Sequence, residues 1–135
     1  MSSISADELF DLMTAANNTA NIKKWMATED LVNRVTDRAK KGRAFCCVSA
    51  PVDMDIETSW DDIKEQLADV FPNCWFHYQH IYHGEVDTKD PEEIGLYILI
   101  GWDKKGKAFV DRIEYIYQRE TFVTLDDKDF AVYFH

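Results

Sequence analysis

His77, His80 and His83 stand three residues apart in one short stretch, the spacing in this 135-residue chain that most invites a metal ion. The stretch from Cys74 to His83 alternates in a way that predicts a strand. Cys74, Phe76, Tyr78, His80 and Tyr82 fall on one face, and Trp75, His77, Gln79, Ile81 and His83 on the other. His80 therefore opposes its two neighbours. His77 and His83 share a face but lie roughly 20 Å apart at strand rise. Zinc ligands must converge within about 2.1 Å of one point, so the strand cannot make a site by itself. A further ligand such as Asp87 or His135 would be needed. No metal, cofactor or catalytic residue is assigned from this pattern. A small metal-dependent enzyme using His77 or His83 with nearby carboxylates is retained as an alternative.

Carboxylates form four clusters: Asp53, Asp55 and Glu57; Asp61, Asp62, Glu65 and Asp69; Asp87, Asp90, Glu92 and Glu93; and Asp126, Asp127 and Asp129. Paired carboxylates can do acid–base work or hold Mg²⁺. The run Asp53-x-Asp55-x-Glu57 has the opening of a calcium loop, but the glycine and the closing glutamate of that loop are missing and Lys64 stands at the closing position. Ser49 has no nucleophile elbow around it. Cys46 and Cys47 sit in an apolar run, where burial raises a thiol's pKa and quenches it. The five glycines are scattered and make no phosphate-cradling loop.

Charge separates the two ends of the chain. Residues 51–135 hold 19 Asp and Glu against 8 Lys and Arg, whereas residues 1–50 hold 6 against 7. The total is −10. Nucleic-acid binders need cations to displace counterions from phosphates, so this balance argues against that class. Arg34, Arg38, Lys40, Lys41 and Arg43 are the only phosphate contacts on offer, and Tyr97 and Trp102 are aromatics that could stack bases on a sheet. Apolar residues at 46% and aromatics at 13% indicate a folded globule. No apolar run reaches the length of a membrane span, and the first 20 residues do not have the form of a signal peptide. Three cysteines, two of them adjacent, indicate reduced thiols and a cytoplasmic setting.

Ser5 to Glu8 is a capping-box pattern. Leu9, Phe10, Leu12 and Met13 follow as an apolar stripe, Asn17-Asn18-Thr19 interrupts it, and Ile22, Trp25 and Met26 resume it. Thr28 reads as an N-cap for a helix closed by Lys40-Lys41-Gly42. Ala44 to Ala50 predicts a buried strand, Ser59 caps a helix carrying Trp60, Ile63, Leu67, Val70 and Phe71 on one face, and Pro72-Asn73 stops it. A loop from Gly84 to Glu93 leads to a strand over Leu96 to Trp102, then a turn at Asp103 to Gly106. Phe109, Val110, Ile113, Ile116 and Tyr117 share a helical face, which favours a helix over 107–118, while the preceding Asp-Lys-Lys-Gly turn and the β-branched and aromatic content favour a hairpin strand there; strands at Thr121 to Leu125 and Phe130 to Phe134 flank a turn at Asp126 to Asp129. The expected fold is α+β in one domain, residues 1–135. A helical front end over 1–43 precedes a ferredoxin-like β-α-β-β-α-β sheet body over 44–135.

The segment from Asp30 to Cys74 runs helix, Ala-Lys-Lys-Gly, apolar strand, capped helix, aromatic strand. On that order and on the junction RAKKGRAFCCV it resembles small uncharacterised accessory proteins of tailed phages, over about a third of the chain. The resemblance implies a protein made in the host cytoplasm during infection, with host-directed or virion-accessory roles. It carries no active-site residue.

Together these readings indicate a small acidic, non-enzymatic interaction protein, a regulator or inhibitor that binds a basic protein surface. The partner-binding residues would be Asp53, Asp55, Glu57, Asp61, Asp62, Glu65 and Asp69, joined by Glu85, Asp87, Asp90, Glu92 and Glu93. A structural or self-associating virion protein is the other alternative, because four tryptophans and a two-faced aromatic strand can form an oligomer surface.

Overall fold

A computed structural model of the chain describes residues 3–84, 92–117 and 122–135. Its elements are α1 (Ala6–Thr28), α2 (Leu31–Lys40), β1 (Phe45–Ser49), α3 (Ile56–Val70), β2 (Trp75–His83), β3 (Glu92–Gly101), α4 (Lys104–Tyr117), β4 (Phe122–Leu125) and α5 (Asp127–Phe134). They fall into two compact units. The first takes Met1–Thr28 and Pro51–Pro72, the second Glu29–Ala50 and Asn73–His135.

The first unit is helical. Ser5 Oγ accepts the Glu8 amide at 3.2 Å, as the capping pattern predicts. Asn17-Asn18-Thr19 does not break α1. Thr19 turns its hydroxyl back onto the Ala15 carbonyl at 3.1 Å, a bond made inside a continuous helix. α1 packs on α3, and Ile22 and Trp25 are its buried residues. Its earlier turns leave Leu9, Phe10, Leu12 and Met13 at least half exposed. α3 starts three residues before the expected cap. Asp55 is the N-cap and accepts the Glu57 amide at 3.1 Å, while Ser59 is buried within the helix beside Ile56, Ile63 and Leu67. Val70 stays exposed, and the helix ends before Pro72 as expected.

The second unit is built on a four-stranded mixed sheet in the order β1-β3-β2-β4. β3 runs antiparallel between β1 and β2, which is the first half of a split βαβ arrangement. The second half departs from a ferredoxin-like sheet. There the final strand would flank β1; here β4 joins the opposite edge, parallel to β2, from His80↔Phe122 to His83↔Leu125. Residues 126–134 differ from expectation as well. Asp126 accepts the Asp129 amide at 2.8 Å and caps a helix, so the expected turn is a helix start and the expected strand 130–134 is α5. The expected turn at Asp103 likewise caps α4: Asp103 Oδ1 accepts the Lys105 amide at 2.8 Å. β3 begins at Glu92 rather than Leu96, which places Glu92 and Glu93 in a strand opposite His83 and Tyr82.

One sheet face packs against α4 and α5. Phe45, Ile81, Leu99, Val110, Ile113, Val123, Leu125 and Tyr133 form that core. The side chains of Ile116 and Tyr117 lie outside the described residues. Gly101 lets the sheet carry a tryptophan: Trp75 is its cross-strand partner, and a Cβ on Gly101 would sit 1.9 Å from the indole. The indole N–H donates to the Asp103 carbonyl at 3.2 Å. α2 lies against β1 and ends at Gly42, whose φ of 79° suits a residue without Cβ.

Candidate functional site

The acidic residues of α3 occupy one side of the helix. At 100° per residue Glu57, Asp61, Asp62, Glu65 and Asp69 fall within about 140° of arc, opposite Ile56, Ser59, Ile63 and Leu67. All five are exposed, as are Asp53 and Asp55 before them. Lys64 is the one cation among residues 51–72, which hold seven carboxylates. It reaches Asp61 at 3.6 Å and lies over the Trp60 ring. Asp55 is occupied by its capping bond. The rest of the expected surface belongs elsewhere: Glu92 and Glu93 are exposed at the start of β3 in the second unit. Glu85, Asp87 and Asp90 lie outside the described residues.

The histidines of β2 separate as the alternation predicts. His77 shares its face with Gln79, which is fully buried and accepts the Tyr133 hydroxyl at 3.1 Å. Gln79 Nε2 in turn approaches Glu114 Oε1 at 3.5 Å. The same carboxylate oxygen lies against His77 Nε2, in a close approach not aligned as a hydrogen bond. Burial first, and then the Lys107 ammonium, push the His77 imidazole down to about 4, against an opposing pull from Asp111. At neutral pH it is therefore uncharged. His80 stacks on Phe122 at 4.7 Å, with a buried Nδ1 that has no partner among the described residues. His83 meets Asp127 at 2.8 Å. Among the described residues no three His, Cys, Asp or Glu side chains gather as a metal would require.

The polar chain Tyr133–Gln79–Glu114–His77 links α5, β2 and α4. Sequence reading missed it because Gln79 was one position among five on an alternating face, and residues 130–134 were expected in a strand. A polar residue at the centre of that otherwise aromatic and apolar strand was the available signal. The arrangement fixes helices to sheet and leaves the His77–Glu114 pair 22% and 24% exposed.

The other candidates are taken up by packing. Tyr97 meets the Phe134 ring edge-on at 5.1 Å, and the Trp102 indole donates to the Arg43 carbonyl at 3.0 Å, so neither stands as an open stacking platform. Arg34 pairs with Glu29 and Lys41 with Asp37. Arg38 donates to the carbonyls of Phe45, Val132 and Tyr133, and Arg43 to the main-chain oxygen of His135. Two guanidinium groups thus serve the carbonyl end of α5, where the helix dipole favours cations. Cys46, Cys47 and Cys74 form no disulfide, and burial pushes all three thiols up. No described helix is long and apolar enough to cross a membrane.

With this geometry in hand, a scan of protein-family models, a search of curated proteins and a search of solved structures each return no match.

Proposed function

We propose that this protein is a non-enzymatic interaction protein, a regulator or inhibitor that docks a basic surface of another protein on the exposed side of α3. The observation that carries the reading is the row Glu57, Asp61, Asp62, Glu65 and Asp69, set opposite the buried residues of the same helix. Packing does not need these charges. Glu57 and Asp61, Asp61 and Glu65, and Glu65 and Asp69 are four residues apart, where like charges repel. Asp69 also sits in the last turn, where a carboxylate opposes the helix dipole. A basic partner offsets both penalties and associates quickly, in a manner that salt weakens. The resemblance to tailed-phage accessory proteins extends the reading to a host cytoplasmic partner.

The test is capture of partners by the full chain at rising ionic strength, beside a variant carrying D61N, D62N and E65Q. A basic protein retained by the native chain, lost by the variant and released by salt is the expected result. A partner held equally by both chains, or indifferent to salt, would refute the reading.

Self-association is a second reading, favoured by Ile4, Leu9, Phe10, Leu12 and Met13, all at least half exposed near one end of the first unit. Light scattering decides it: a strict monomer at high concentration removes it, and a dimer abolished by L9K with M13K supports it.

A further inference from the structure

The second unit holds a cavity of about 270 Å³ lined by Arg38, Gly42, Arg43, Ala44, Phe45, Lys105, Gly106, Phe109 and Val132. Three of these nine residues are cations and none is an acid, in a chain of net charge −10. We infer that this cavity is a binding site for a small organic oxyanion, a phosphate monoester or carboxylate carried on an aromatic or aliphatic body.

Four observations support the assignment. First, the nearby cations Arg34, Lys41 and Lys107 each hold a carboxylate, whereas among the described residues Arg38, Arg43 and Lys105 pair with no acidic side chain. Second, the bonds that Arg38 makes to main-chain carbonyls use Nε and Nη2, so the hydrogens on Nη1 are not spent there, and Arg43 spends Nη2 on His135. A guanidinium held by carbonyls on one edge is preorganised to offer the other to a carboxylate or phosphoryl group. Third, burial and the charge of Arg43 both work against protonated Arg38, a penalty that a bound anion would relieve. Fourth, the first turn of α4 supplies Lys105 and Gly106; Asp103 Oδ1 takes the Lys105 amide, and the Gly106 amide has no intrahelical acceptor in a turn where the dipole favours an anion.

The remaining lining decides the ligand's body. Phe45, Phe109, Ala44 and Val132 form an apolar wall, and the Arg112 guanidinium lies over the outer ring, Phe109. Gly106 keeps the α4 turn close to β1; a Cβ there would stand 2.8 Å from Ala44 Cβ. The volume lies just below the roughly 300 Å³ at which pockets for drug-sized ligands begin. A bare ion would leave the apolar wall unfilled, and a neutral ring would leave the cations uncompensated.

The experiment is titration of the full chain with phenyl phosphate, benzoate, inorganic phosphate and benzyl alcohol at constant ionic strength, read by calorimetry and by the amide shifts of Gly42, Phe45 and Gly106. One or both aryl anions should bind, and which one does separates a phosphoryl ligand from a carboxylate. Inorganic phosphate should bind more weakly, and benzyl alcohol not measurably. K105E should weaken aryl-anion binding roughly tenfold, the loss of one charged hydrogen bond. K128E, which makes the same charge change at a residue outside this cavity, should leave it unchanged. The inference is overturned by any of four results: no shift at millimolar aryl anion, equal weakening by K128E, equal binding of benzyl alcohol, or inorganic phosphate matching phenyl phosphate.

Discussion

Glu65 is the residue at which the cost of the acidic row can be measured. It stands four residues after Asp61, three after Asp62 and four before Asp69, so three like-charge neighbours surround it on one exposed face of α3. Each such pair destabilises a helix by about 0.2–0.5 kcal/mol. Replacing Glu65 with Gln keeps the helix propensity and side-chain shape nearly constant and removes all three repulsions, a gain of about 0.6–1.5 kcal/mol at low salt. For a chain of this size that is a midpoint rise of about 2–6 °C. The gain must vanish in high salt, because the Debye length falls from about 10 Å at 0.1 M to about 3 Å at 1 M. The assay is thermal or urea unfolding of native chain and E65Q, followed by circular dichroism in low and high NaCl. The same substitution should weaken partner capture, so fold and function pull in opposite directions at one residue. A neutral or destabilising E65Q at low salt, or a gain that high salt leaves intact, would show that the row costs the fold nothing and remove this support for a binding role.

Three further outcomes follow from the second unit. Gly101→Ala should cost about 3 kcal/mol or more, because a Cβ would enter an indole fixed by its bond to Asp103, and such overpacking is not relieved by a small shift; wild-type stability in urea melts would contradict this. Tyr133→Phe should cost about 1–3 kcal/mol by orphaning the buried Gln79 oxygen, and adding Gln79→Leu should recover part of that loss in a double-mutant cycle. His77, held down to about 4, should remain neutral in an NMR titration well below its ordinary 6.5. The unfolded chain then takes up a proton between those values that the folded chain refuses. Stability therefore falls as pH drops through that window, by up to about 3 kcal/mol. A midpoint near 6.5, or no dependence in a His77→Gln comparison, would contradict it.

Much of this fold is legible in the residues where one signal dominates. The apolar run at 44–50, the alternating aromatics at 74–83 and the 3.6-residue rhythm through Val110 and Ile113 all lie where they were expected. The errors share a physical cause: an aspartate that caps a helix and an aspartate in a turn look alike until the next ten residues choose a partner. Asp55, Asp103 and Asp126 are all such caps. Reading the last as a turn cost α5. The weak helix propensity of Asn17 to Thr19 predicts a break, but the turns on both sides carry the helix through. The acidic side of α3 is legible in Asp61, Asp62, Glu65 and Asp69, which fall off the apolar helical face, and the helix start at Ile56 adds Glu57 to it. The basic cavity was not visible at all, because Arg43 and Lys105 are far apart in sequence and meet only when α4 docks beside β1.

The interleaving of the two units has a consequence for biosynthesis. α1 cannot complete its packing until α3 has been made, and β1 must wait for β3, which is translated after β2. α5, made later still, closes over β1 and β4. On a ribosome the nascent polypeptide therefore carries Trp25 unburied until α3 is made and Phe45 unburied until β3 and α5 are made, a window in which chaperones, or a second nascent copy offering the same strands, compete for them.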